Sequence, residues 1–241
     1  CRVTTFHALG RGIIKEVEGR PPQLANWVEH PAGEARVIEE IIRQLVETDP
    51  EFARLWSDLL VVHPKADIPA EVFDTEADYR RYVSDRLRKG EATIGSLAGV
   101  IVKSLQEQKV VNWLWLHSVA FEYERQLAVE EDDGTVRHLH PDFYYPLTGT
   151  VHEHFALNAD GTSPFADYVQ HAERKRQAYR RKEIDFFETT SAQASDETLL
   201  STLEAELARR AVPFERKGYA EITEAIEPVV IKHYHKLISI C

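Results

Sequence analysis

The stretch His138–Phe155, HLHPDFYYPLTGTVHEHF, sets the tightest limit on what this chain folds into. Two short runs rich in β-formers flank Pro146-Leu147-Thr148-Gly149, and a turn centred on Leu147 and Thr148 closes them into an antiparallel hairpin. In that register Asp142 stands directly opposite Glu153, and directly opposed residues point to one face. Two carboxylates on one face repel unless a cation or a proton lies between them, so the pair asks for a divalent metal ion. By alternation His140 shares that face, whereas His152 and His154 point away. His140 is therefore a candidate ligand or a neighbour of one. Imidazole suits zinc or manganese better than magnesium, and a zinc-binding structural module built on the histidines stays open as an alternative.

The chain has 241 residues, 43% of them hydrophobic, enough for one large or two modest domains with a sizeable core. No apolar run approaches the length of a membrane span, and the opening residues CRVTTFHALG lack the basic-then-apolar layout of a signal peptide. A soluble cytoplasmic protein with no membrane partner is the expectation. Cys1 and Cys241 make neither a disulfide framework nor a zinc-ligand spacing and are expected as free thiols. The net charge of −11 argues against nucleic-acid binding through the overall field. Basic charge is local instead: Arg174–Lys182, RKRQAYRRK, sets six cations on a helix, in contrast with the acidic run Glu130–Asp133.

The order of elements places the hairpin in a larger frame. Residues 1 to about 92 read as helical, with apolar-periodic segments at Val37–Val46, Phe52–Val62 and Tyr79–Leu87. Leu97–Leu116 reads as an amphipathic helix with Glu107 at the edge of its apolar side, and Phe121–Val129 as a strand. After the hairpin runs Arg137–Tyr145 and Thr150–Leu157, the pattern predicts a helix over Ala166–Lys182, a strand over Ile184–Thr190 and a helix over Asp196–Ala211 with a Leu199, Leu203, Leu207 stripe. Helix, three strands, helix, strand, helix implies an α/β unit, a mixed sheet flanked by helices. Beyond Pro213 the chain turns helical again over Tyr219–Ile240, with Pro228 as a kink or boundary. The domain expectation is a helical accessory subdomain over 1–92 and 213–241, with a domain over 93–212 inserted in it.

That inserted segment resembles the PD-(D/E)XK nuclease superfamily, whose core is a helix, a three-stranded meander, a helix, a strand and a helix. The resemblance implies a restriction-endonuclease-like fold and a metal-dependent nuclease. Carried onto this chain, Glu107 of the first helix and Asp142 and Glu153 of the hairpin hold magnesium or manganese, which polarises a phosphate and activates water. The family pattern has a Lys two positions after the second acid, where this chain has Phe155. Lys175, on the following helix, is the expected substitute, its long side chain reaching the carboxylate face; without a substitute, the fold persists as a DNA- or protein-binding module that does not cleave.

The flanks carry a second resemblance. Val3-Thr4-Thr5-Phe6-His7-Ala8-Leu9-Gly10 is similar to the Thr-Phe-His motif of UvrD-like superfamily-one DNA helicases. Val102-Lys103-Ser104, Asn112-Trp113-Leu114, Phe121-Glu122-Tyr123-Glu124, Pro141-Asp142-Phe143-Tyr144, Glu153-His154-Phe155 and Glu188-Thr189-Thr190-Ser191 follow in the order of the nuclease-like insertion that some of those helicases carry. The resemblance implies an accessory region of such a helicase, with DNA and the parent's motor domains as partners. Thr5 and His7 are then expected at DNA, and Arg174, Lys175, Arg176, Arg180 and Arg181 along the phosphate backbone. No Gly-x-x-x-x-Gly-Lys-Ser/Thr pattern occurs, so ATP belongs to the parent motor and not to this chain.

Overall fold

The computed structural model of the chain describes residues 5–21, 33–62, 68, 70–88, 94–130, 134–226 and 228–240. Val3, Thr4, the acidic residues 131–133, the domain boundary expected near residue 92 and both cysteines lie outside the described residues. The chain divides into two compact units, residues 1–53 with 232–241, and residues 54–231. In the first, helix α1 (Phe6–Glu18) opens on Thr5, whose Oγ1 accepts from the Ala8 amide at 3.2 Å, and closes on Gly19 at φ 72°. Helix α2 (Gly33–Thr48) follows. The Asp49 side chain then takes the Glu51 and Phe52 amides at 3.0 and 3.1 Å, which starts helix α3 (Pro50–Val62), whose residues from Arg54 onward belong to the second unit. Helix α4 (Glu76–Arg88) lies in the second unit.

The expected helix from Leu97 begins eight residues later. Strands β1 (Ile94–Gly95) and β2 (Ile101–Val102) form a small hairpin instead, and helix α5 spans Leu105–Leu116. The reason is local: the Ser96 hydroxyl donates to the Val100 carbonyl at 2.8 Å and Gly99 sits at φ 75°, so the chain turns before a helix can propagate. Ser104 then caps α5, accepting from the Glu107 amide at 3.1 Å.

The two runs expected as single strands before the hairpin turn each split. Phe121–Val129 divides into β3 (Glu122–Tyr123) and β4 (Leu127–Glu130), because Glu124 adopts φ 50°. Arg137–Tyr145 divides into β5 (Val136–Leu139) and β6 (Phe143–Tyr145) on either side of Pro141, which lacks an amide donor. β4 and β5 pair with each other, Leu127 opposite Leu139, as a separate two-stranded arm. What remains is a four-stranded mixed sheet in the order β3, β6, β7 (Thr150–Phe155), β8 (Phe186–Thr190). β3, β6 and β7 run antiparallel, and β7 and β8 parallel through helix α6 (Tyr168–Arg181).

The sheet is covered on both faces, as its pattern demands. On one face α5 (Val110, Val111, Leu114) and helix α8 (Leu199–Arg209, with its Leu199, Leu203, Leu207 stripe) pack on Phe143, Tyr145 and Phe187. On the other, Ala178 and Tyr179 of α6 and Leu139 of β5 pack on Val151, while Ala172 packs against Phe155. All six residues of β7 are therefore buried. A five-residue helix α7 (Ser191–Ser195) joins β8 to α8; helices α9 (Tyr219–Ala225) and α10 (Pro228–Ile240) follow, broken at Ile226, which is extended before Pro228. Among the described residues no helix is long and apolar enough to cross a membrane.

Candidate functional site

The β6–β7 turn positions the acidic pair. Gly149, at φ 72°, returns its amide to the Tyr145 carbonyl at 2.9 Å, and the ladder runs Tyr145 to Thr150, Tyr144 to Val151 and Phe143 to His152. One step further, at the mouth of β6, Asp142 meets Glu153. The register continues across the sheet: the Glu124 amide donates to the Asp142 carbonyl at 3.0 Å on one side, and Glu153 pairs with Glu188 on the other. Four acids thus stand in one row, Glu153 and Glu188 on β7 and β8 and Glu124 and Asp142 just beyond the ends of β3 and β6.

Three of the four have a cation of their own. Lys103 pairs with Glu124; Lys175 Nζ lies 2.7 Å from Glu153 Oε2; Arg176 grips Glu188 with two bonds of 2.7 and 2.8 Å. Among the described residues Asp142 has no cationic side chain against it. Its Oδ2 accepts the His154 amide at 2.7 Å, and its Oδ1 accepts no hydrogen bond from the described residues. Half-buried and without a cation of its own among the described residues, Asp142 is where the row is short of positive charge.

Glu153 is held most firmly. Its side chain is fully buried, Tyr179 donates to Oε1 from one helical turn beyond Lys175, and Lys175 also reaches the His140 carbonyl at 3.0 Å. Burial first, then the charge of Asp142, push the Glu153 carboxyl up to about 8 against the lowering effect of Lys175 and Tyr179. The same burial, with the Glu153 and Asp142 charges beside it, pushes the Tyr179 hydroxyl well up, so it is a donor at any physiological pH.

His152 and His154 point to the opposite face, as alternation along β7 requires. There they join a chain of hydrogen bonds. Tyr145 Oη lies 3.0 Å from His152 Nδ1, Thr189 Oγ1 sits between His152 Nε2 (2.8 Å) and His154 Nδ1 (2.9 Å), and His154 Nε2 meets Gln106 Oε1 at 2.8 Å. The Ser191 hydroxyl donates to the same Gln106 oxygen at 2.7 Å. His152 lies between the Phe143 and Phe187 rings, with centroids at 4.9 and 4.3 Å, and burial pulls both imidazoles below the ordinary histidine range. These are neutral core groups satisfied by protein partners.

The other expected site residues scatter. Glu107 accepts from the Tyr123 hydroxyl, from Ser104 Oγ at 3.1 Å and from the Lys103 amide at 3.1 Å, which ties it to the start of α5. His140 is exposed, and what it brings to the site is its carbonyl, held by Lys175. Phe155 is buried on the Glu153 face, its ring under the Arg176 guanidinium at 5.0 Å, so the place of the family's Lys is filled by core. Arg176 is committed to Glu188, Arg180 lies 3.7 Å from Glu173, Arg181 is exposed at the end of α6, and Arg174 is exposed without an ion-pair partner among the described residues. Thr5 caps α1, and His7 lies in that helix.

Tyr179, Glu188 and Glu124 stand at this site without having been assigned a role in it from the sequence, although Glu124 and Glu188 fall in the motifs of the second resemblance. Tyr179 had a signal, four residues after Lys175 and so on the same side of α6. Glu188 becomes visible only once the parallel register of β7 and β8 is known.

Whether the residues fit a metal ion depends on the ion. Among the described residues no three of His, Cys, Asp and Glu gather to hold one, so Glu107 and His140 do not complete a shell with Asp142 and Glu153, and a closed tetrahedral zinc site has no donor set. Magnesium-type ions ask for less: one or two carboxylates, with water and substrate phosphate filling the remaining positions. Of the two acids, Asp142 keeps Oδ1 without a hydrogen bond among the described residues, whereas Lys175 and Tyr179 take one oxygen each of Glu153. In comparisons with known proteins, no protein family, no curated sequence and no solved structure matches this chain.

Proposed function

We propose that the chain is a DNA-binding accessory region of a superfamily-one helicase, in which a restriction-endonuclease-like domain, inserted in a helical subdomain, hydrolyses DNA phosphodiesters. The observation that carries this reading is Lys175 Nζ at 2.7 Å from Glu153 Oε2, beside an Asp142 that lacks a cation among the described residues. It supplies, from α6, the positive charge that Phe155 cannot supply from β7. The order α5, β3, β6, β7, α6, β8, α8 around a mixed sheet supports the same reading.

Asp142 and Glu153 would hold magnesium or manganese, which supplies Lewis-acid polarisation of a phosphate oxygen and makes water a stronger acid. Each residue of the chain then has a separable part. Asp142 offers its uncommitted oxygen, Oδ1. Tyr179 and Lys175 hold the Glu153 carboxyl in one place, Glu153 would give up the proton that its burial favours when the ion binds, and Lys175 stands where negative charge builds up on the phosphate. The sheet side of the site is closed by Phe155 and Val151, so the phosphate approaches past α6 and the Asp142 edge.

Calorimetric titration of manganese into the unmodified protein and Asp142→Asn, paired with cleavage assays on single-stranded and forked DNA, tests the reading. Asp142→Asn should bind manganese at least about tenfold more weakly and lose cleavage. Equal manganese binding by the two proteins would defeat the assignment. The competing reading, a module of the same fold that binds DNA or protein without cutting, is favoured by Phe155 at the family's Lys position; salt-dependent DNA binding with no metal-dependent cleavage would select it.

A further inference from the structure

The start of α6 carries a feature that the acid-and-lysine site does not use. Phe165 is 60% exposed just before the helix, and its ring leads to Tyr168 (centroids 6.0 Å) and from there to His171 (6.3 Å). Arg174, exposed and without an ion-pair partner among the described residues, stands one position before Lys175 and continues the same three-residue spacing. The ridge is anchored, because the Tyr168 hydroxyl accepts the Ala156 amide at 3.1 Å and its ring meets Phe155 edge-on at 6.5 Å. It also runs toward the site: Tyr168 and Arg174 lie on the helix whose Lys175 reaches Glu153, and Tyr168 packs on Phe155 of the same strand.

We propose that Phe165, Tyr168, His171 and Arg174 form a docking ridge for a single DNA strand, its bases stacking on Phe165 and its phosphates lying along His171 and Arg174. The inference rests on the reading of the site as one that acts on DNA. An exposed ring followed by a cation is the pairing by which proteins track unpaired strands, since every base has a face to stack and every linkage a charge. The charge along the ridge itself agrees: the first turn of α6 has no acidic residue and Arg174 is its cation, while the nearby acids are Asp167, just before the helix, and Glu173, which pairs with Arg176 and Arg180. A duplex keeps its base faces stacked on one another and offers Phe165 nothing to stack on. A partner peptide would find one ring and cations but little groove.

The test is fluorescence anisotropy of a labelled oligodeoxythymidine of about 12 nucleotides with the full chain in chelator, so that no cleavage intervenes. Phe165→Ala should weaken binding roughly 5- to 100-fold. Phe165→Trp should retain it and show quenching of the new indole. An abasic strand should bind the unmodified protein as weakly as the normal strand binds Phe165→Ala. Arg174→Ala should lower the slope of log affinity against log salt by about 0.7.

Unchanged affinity in Phe165→Ala with an unchanged circular dichroism spectrum would overturn the proposal, and so would duplex binding as tight and as sensitive to Phe165 as strand binding. Because the assay contains no metal, its failure is distinct from failure of the hydrolytic reading. Strand stacking without cleavage leaves the ridge standing alone, and cleavage with a Phe165-independent affinity removes the ridge alone.

Discussion

At the scale of single residues the site turns on who neutralises whom. Lys175→Ala leaves a buried carboxyl with one donor fewer, and because Glu153 can keep a proton the cost to stability should be about 1–3 kcal/mol by urea titration. The cost to catalysis should be larger, a drop of roughly 100- to 1,000-fold in cleavage rate with manganese affinity preserved. Glu153 itself makes stability depend on pH. Its carboxyl titrates near 8 when folded against an ordinary value of 4.5, so the folded state holds the proton more tightly. The stabilisation is complete below 4.5, declines as pH rises to about 8, and is flat above; the full swing is on the order of 5 kcal/mol at most. Urea titrations from pH 5 to 9 should show that decline in the unmodified protein and not in Glu153→Gln. Parallel profiles would mean that Glu153 is ionised in the folded protein throughout.

At the scale of elements, β7 carries two unlike halves of one design. Its odd positions face α6 and hold the acid; its even positions face α5 and α8 and hold two neutral imidazoles joined by Thr189. Thr189→Val removes the hydroxyl shared by His152 and His154 and should cost about 2–5 kcal/mol, with Thr189→Ser recovering most of it, since the loss is of the hydroxyl and not of volume. How far the sequence foretold these elements follows from where the determining signal lay. The Pro146–Gly149 turn and the alternation of β7 are local, so the hairpin register and the two faces were legible, and so was the reach of Lys175 from α6. The α5 boundary was not, because the apolar spacing of Leu97–Val102 suits a helix as well as a strand, and the Ser96–Gly99 turn decided it. Nor was the splitting of the runs around Glu124 and Pro141, where a backbone angle and a missing donor outweighed β-propensity. The acidic row was hidden for another reason: it arises from four separate segments brought into register, and no single segment contains it.

At the scale of the whole molecule, order should concentrate where both faces of the sheet are covered. Hydrogen exchange should be slowest in Thr150–Phe155 and in α8, whose Leu199, Leu203 and Leu207 are buried, and faster in α9, where Ile222 is the one buried residue among those described. Faster exchange in β7 than in α9 would contradict this picture of the core. The complete enclosure of β7 also has a consequence for how such a protein diversifies. A strand with no exposed side chain leaves little room for substitution, so the acid it presents stays where it is. Helix α6, anchored by a few inward positions and open along the rest, is where a lineage or an engineer could exchange the lysine, the rings or the outer cations, re-aiming the chemistry while the strand beneath goes on unaltered.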